Sequence, residues 1–159
     1  MRVLSVDPGY SRVGIAIVEK VPRTREHLVY SDCIETDRDA LFEERLLTIG
    51  RAITGVIKKH APDFVAIEKI YFEKNQKTAM QVAEARGVIR YIAALHKLPV
   101  HEYTPLEIKA AVAGDGHGSK EQIMRILPKL IRIEKDIRFD DEYDAIAVGL
   151  TCLATVRLR

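Results

Sequence analysis

Met1-Arg-Val-Leu-Ser-Val-Asp-Pro-Gly-Tyr-Ser-Arg-Val-Gly-Ile-Ala-Ile-Val18 decides the fold. Val3, Leu4 and Val6 form a short β-favouring run that stops at Asp7-Pro8-Gly9, and a second run extends from Val13 to Val18. Two apolar runs with Pro and Gly between them read as antiparallel strands joined by a tight turn. Asp7 then ends a central, buried strand, where an unpaired carboxylate is costly. Two readings fit this stretch alone: Asp7 bonds nearby backbone N–H groups to cap the turn, or it is a metal ligand.

The strands and helices that follow frame the choice. Residues 26–35 read as a third strand. The Asp37–Asp39 cluster marks a helix start, and Leu41, Phe42, Leu46, Leu47, Ile49, Ile53, Val56 and Ile57 recur at helical spacing through His60, with Pro62 closing the helix. Asp63-Phe-Val-Ala-Ile-Glu68 is a buried strand beside the first, so a second acid stands at a strand terminus. A loop with Lys69, Tyr71, Phe72, Lys74, Asn75 and Lys77 leads to a long helix, 77–97, whose apolar residues spread around most of its circumference. Such a helix needs cover on nearly every side, either within the chain or from a partner subunit. Residues 98–103 read as a fifth strand. Thr104-Pro105 opens a helix to about Ala113, and Ser119 caps another that Pro128 should end or kink near Leu127. A basic helical successor follows, and 140–158 forms the last helix. The order specifies an α/β domain over residues 1–159, with a five-stranded mixed sheet flanked by helices.

Composition limits the function classes. The 159 residues are 47% apolar and 30% charged, as in an ordinary soluble domain. No apolar run approaches the ~20 residues of a membrane helix, and nothing reads as a signal peptide. Cys33 and Cys152 lack metal-type spacing and suit reduced thiols in the cytoplasm. Net charge is only +2, but residues 69–138 carry 13 Lys/Arg against 8 Asp/Glu, and the rest carry 12 against 15. A basic middle between acidic flanks suits a phosphate-bearing ligand held near carboxylates.

Four acids can converge: Asp7 and Glu68 at two strand ends, and Asp141 and Asp144 three apart on one face of the last helix. Singly, each is as readily a cap or a helix-dipole partner. Together they repel unless divalent cations sit among them, and all-oxygen ligands suit Mg²⁺ or Mn²⁺.

These residues carry a resemblance. Val6-Asp-Pro-Gly9 with Gly14, Ala66-Ile-Glu68 with Phe72-Glu-Lys-Asn75, Ala85-Arg-Gly87, Ile108-Lys109, Ala113-Gly114, Lys120 and Asp141-Glu-Tyr-Asp-Ala145 are similar, in order and spacing, to the RuvC family of Holliday-junction resolvases. The resemblance implies a ribonuclease-H-like fold, a homodimer, and metal-dependent nicking of four-way junction DNA. It implies that Asp7, Glu68, Asp141 and Asp144 hold two Mg²⁺ per subunit, about 4 Å apart, with Mn²⁺ able to substitute. It also implies a partnership with the branch-migration proteins RuvA and RuvB. The segment Asp140-Asp141-Glu142-Tyr143-Asp144 has more acids than the family usually carries there, and Asp140 is an alternative to Asp141 as ligand.

Lys109 and Lys120 match basic family positions near the DNA, with electrostatic stabilisation of the transition-state phosphate as their physical role. Tyr71 matches the family's aromatic and can stack on an unpaired base, whereas Phe72 either does the same or fills the core. Lys74, Asn75, Lys77, Arg86 and Arg90 are candidate phosphate contacts. His117, in a Gly-rich loop, is left outside the catalytic set. Three rivals stand beside this reading: an actin-like nucleotide-binding domain, a junction binder without nuclease activity, and a ribonuclease-H-like nuclease for other branched or hybrid nucleic acids. The first lacks a second phosphate loop, and the second gains nothing from concentrating acids against phosphates.

Overall fold

A computed structural model of the chain describes residues 1–69, 78–114, 116 and 118–156. Five strands, β1 (Arg2–Asp7), β2 (Arg12–Glu19), β3 (His27–Glu35), β4 (Phe64–Glu68) and β5 (Val100–Tyr103), form one sheet in the order β3-β2-β1-β4-β5. The first three make an antiparallel meander, while β4 and β5 join parallel to β1. The helices are α1 (Phe42–His60), α2 (Ala79–Leu95), α3 (Pro105–Ala113), α4 (Lys120–Leu130) and α5 (Asp140–Thr155). The mixed sheet flanked by helices is the architecture that the element order specifies.

Both sheet faces are covered, and the strand period of two sorts the side chains between them. Leu4, Val6, Ile15, Ile17, Val65 and Ile67 point into one core with Ile49, Ile53, Ile89 and Ala93 of α1 and α2. Val3, Ala16, Val18 and Ala66 point to the other, where Ala145, Ile146, Val148 and Cys152 of α5 pack with Ile108, Ile123 and Leu127 of α3 and α4. Burying this much apolar surface at roughly 25 cal/mol per Å² anchors the strands whose C-terminal ends carry the acids.

Three local expectations change. Helix α1 begins at Phe42 rather than in the Asp37–Asp39 cluster, because the Asp37 carboxylate accepts from its own neighbour Asp39 N–H at 3.0 Å. Glu44 then sets the start by accepting from Leu41 N–H. Helix α4 runs through Pro128 to Leu130. Only one N–H is missing there, and Ile131 N–H donates to Leu127 O at 3.0 Å to close the turn, with Leu127 and Ile131 both fully buried. No helix follows α4 directly. Instead Arg132 bridges to the start of β3, its O accepting from Leu28 N–H and its N–H donating to Glu26 O, each at 2.9 Å.

Candidate active site

Asp7 and Glu68 close the parallel pair β1–β4, in which Val6 stands opposite Ile67. This register brings the two carboxyl groups to the same sheet end, where each lies within reach of the other's charge. Burial holds the Asp7 carboxyl well above the ordinary carboxylate range, and the charges of Glu68, Asp144 and Asp141 push it further, against Lys120. Burial and Asp144 likewise raise Glu68 to about 7, opposed by Asp7, Lys120 and Lys109.

Helix α5 delivers the other two acids over β2. Asp141 is mostly covered, with its side chain 18% exposed, and its Oδ2 lies 3.3 Å from Arg12 Nε and 3.9 Å from Cys33 Sγ. Burial raises its carboxyl, with Arg12 opposing and Asp140 assisting. Asp144 accepts from Lys120 Nζ at 2.7 Å. Asp140, half exposed, also accepts from Lys120, at 2.9 Å, and that bond lowers its carboxyl. Burial works against the Lys120 charge, but its bonds to Asp144 and Asp140 prevail and raise its pKa.

Glu68, Lys109, Lys120 and Asp144 meet around a cavity of about 190 Å³, with Ile108 and Ile123 on its apolar wall. Negative charge thus stands at the strand ends, with two lysines across a small opening. The donor set fits hard divalent ions: Asp7 is a partly buried carboxylate among three like charges, with no Lys or Arg bonded to it among the described residues. In this arrangement no three His, Cys, Asp or Glu side chains among the described residues already form a metal-holding group. The lysine bonds to Asp140 and Asp144 hold some of the charge that such an ion would compensate.

Arg86 does not stand free. It pairs with Glu102 of β5, as does Arg90 at 2.7 Å, and its side chain is 19% exposed. Tyr71, Phe72, Lys74, Asn75, Lys77 and His117 lie outside the described residues.

Two residues that the sequence reading passed over support the site. Glu142 is almost fully buried between the two acids of α5 and accepts from Ser31 Oγ at 2.6 Å, Lys135 Nζ at 2.7 Å and the N–H groups of Arg138 and Phe139. Its signal was the helical step itself, since an acid next to Asp141 turns about 100° away from it. Arg45, with 9% of its surface exposed, donates to Thr36 Oγ1, Ser11 Oγ and Tyr10 O, tying the loop after Asp7 to α1. No sequence pattern announced that one.

The chain is similar to known proteins over nearly its whole length. The family described as "Crossover junction endodeoxyribonuclease RuvC" matches residues 3–152. A crossover junction endodeoxyribonuclease RuvC from Moorella thermoacetica is 45% identical over 94% of this chain and 89% of its own length. One from Thermotoga petrophila is 41% identical over 94% and 90%. Thermus thermophilus RuvC in complex with Holliday junction substrate superposes with a TM-score of 0.89 at 27% identity, covering 96% of this chain and 93% of that one. The five-stranded sheet and its helices are thus ribonuclease-H-like, as in those resolvases.

Proposed function

The chain belongs to the RuvC family of crossover junction endodeoxyribonucleases, and from that premise we propose that it resolves Holliday junctions by symmetric nicking of opposed strands. What supports the reading is that the charges of Glu68, Asp144 and Asp141 all act on Asp7, while Lys109 and Lys120 line the same opening as Glu68 and Asp144. A protein that only bound DNA would gain nothing from acids set against phosphates.

Asp7, Glu68, Asp141 and Asp144 would hold two Mg²⁺, or Mn²⁺ in their place. Bound there, the cations supply activation of water and neutralisation of charge on the leaving 3′ oxygen, giving 5′-phosphate and 3′-hydroxyl ends. The protein's own groups do the rest. The β1–β4 ladder fixes the strand ends that carry Asp7 and Glu68, so the acid pair needs little reorganisation when substrate arrives. Lys120 and Lys109 face the same opening and offset negative charge that builds on the phosphate. Tyr71 and Phe72 supply stacking for bases at the crossover, and Lys74, Asn75, Lys77 and Arg86 hold the backbone, Arg86 while paired to Glu102.

A homodimer places two such sites on the two-fold symmetric junction. The exposed apolar residues of α2, Met80, Tyr91 and Leu95, are the face for it. None of the described helices is long and apolar enough to cross a membrane. Work in the cytoplasm beside RuvA and RuvB completes the reading.

The test is a labelled four-way junction and a matched linear duplex, with Mg²⁺ or EDTA, for wild type and Asp7→Asn. Paired nicks in the junction alone, dependent on Mg²⁺ and lost in Asp7→Asn while junction binding persists, are expected. Near-normal cutting by Asp7→Asn would overturn the assignment, and equal cutting of duplex would overturn the substrate.

A further inference from the structure

Asp140 is the surplus acid of the Asp140-Asp141-Glu142-Tyr143-Asp144 segment, and its two oxygens face different cations. Oδ2 accepts from Lys120 Nζ at 2.9 Å, and Oδ1 lies 3.8 Å from Arg12 Nη2. Each cation then reaches a second acid: Lys120 Nζ is 2.7 Å from Asp144, and Arg12 Nε is 3.3 Å from Asp141. The result is an alternating row, Asp141–Arg12–Asp140–Lys120–Asp144, with Asp140 at its centre. We infer that Asp140 is a positioning residue and not a metal ligand: it holds Arg12 and Lys120 on either side of the acid site, with Arg12 aimed at a phosphate of the strand being cut.

The two candidate ligands differ in their surroundings. Asp141 is mostly covered and lies among the charges that act on Asp7, whereas Asp140 is 47% exposed and already faces two cations. To ligate an ion it would have to give up both. Asp141 and Asp144, once engaged as ligands, have less charge to offer Arg12 and Lys120, and Asp140 still retains the pair. Arg12 follows the turn after Asp7 on β2, and its side chain is 48% exposed, so its fixed guanidinium is open to DNA. A planar fork of donors that never loses its charge suits a phosphate better than a structural tie at the surface requires.

The inference rests on the reading of the site as a junction nuclease, and the experiment separates the two. Mn²⁺ binding to Asp140→Asn, Asp140→Glu and Asp141→Asn is measured by calorimetry without DNA. Single-turnover cutting of a four-way junction is measured at saturating Mg²⁺ for the same proteins and Arg12→Gln. Asp140→Asn should keep the wild-type Mn²⁺ stoichiometry and junction affinity yet cut about 10-fold more slowly, with Asp140→Glu restoring much of the rate. Arg12→Gln should cut about 10- to 100-fold more slowly, and adding Asp140→Asn to it should cost less than Asp140→Asn costs alone. Asp141→Asn should lose Mn²⁺. Loss of Mn²⁺ sites in Asp140→Asn, or cutting at the wild-type rate by it or by Arg12→Gln, overturns the inference. A wild-type protein inert on junctions sinks the functional reading instead, and the Mn²⁺ stoichiometry still decides ligand against anchor.

Discussion

Gly14 of β2 and Asp141 of α5 touch backbone to side: a Cβ built on Gly14 would lie 2.0 Å from the Asp141 carbonyl oxygen and 3.1 Å from its Cβ. Gly14 also pairs with Asp7 across the β1–β2 ladder. One residue without a side chain therefore lets the acid of a helix descend onto the strand that neighbours the acid of β1. Gly14→Ala should push the first turn of α5 off the sheet, at a cost of about 1–3 kcal/mol in urea unfolding. Cutting should fall by more than the stability loss explains, because Asp141 moves and Asp7 does not. A variant with wild-type stability and rate would show that the contact is soft.

The acid pair predicts an unusual pH dependence of the metal-free protein. Glu68 rises from 4.5 to about 7 on folding, so between those values the folded state binds more protons than the unfolded chain. Its contribution to stability is full below about pH 4.5 and is lost as pH rises through about 7, with Asp7 acting in the same direction. In EDTA, wild-type Tm should decline over that window more than Tm of Glu68→Gln does. Adding Mg²⁺ at pH 7.5 should recover stability in wild type and little in the variant. Parallel curves for the two proteins would contradict the assignment.

Glu142 makes the opposite prediction. Burial alone would raise its carboxyl, but Lys135, Ser31 and two backbone N–H groups outweigh it and lower the pKa. Its stabilisation is present above about pH 4.5 and is lost as pH falls below the depressed value. Removing the charge leaves the bonds to Ser31, Lys135 and the two N–H groups without a carboxylate, and because the Lys135 side chain is 41% exposed and screened by water the loss is about 1–2 kcal/mol. Glu142→Gln should show that loss by urea denaturation at pH 7, and the loss should shrink when Lys135→Met is added. An unchanged midpoint in Glu142→Gln would mean that the bonds contribute nothing net.

What could be read from the chain follows a physical line. Strand identities and the central place of β1 were legible because apolar runs bounded by Asp-Pro-Gly, Pro62 and Thr104-Pro105 are local signals. The pairing of Asp7 with Glu68 followed from two acids ending buried strands. Features set by distant contacts were not legible. The start of α1 depends on Glu44 and the Asp37 turn, and α4 passes Pro128 because Leu127 and Ile131 are anchored in the core. The non-helical path over 131–139 is held by backbone bonds to β3, which no helical period reveals. Within the acidic segment, residue types alone left Asp140 and Asp141 equivalent, and Arg12 and Glu142 acquire their roles only once α5 lies on β2 and β3.

The outward face of α2 bears on the symmetry of the cut. Met80, Tyr91 and Leu95 are 72%, 65% and 62% exposed, and Leu47 of α1 is 50% exposed beside them. Between the two helices runs a groove of about 630 Å³, walled by Leu46, Leu47, Val88, Tyr91 and Ile92. An apolar surface of this kind is costly to leave in water and suits a second copy of the chain. Tyr91→Glu places a charge at the centre of that face without touching the sheet or the acids. It should weaken dimerisation at least about 10-fold in sedimentation equilibrium, with little change in Tm at concentrations where wild type is also monomeric. Its nicks on a four-way junction should become independent, one strand cut long before its opposite. A variant that still dimerises and still nicks in pairs would move the interface elsewhere on the molecule.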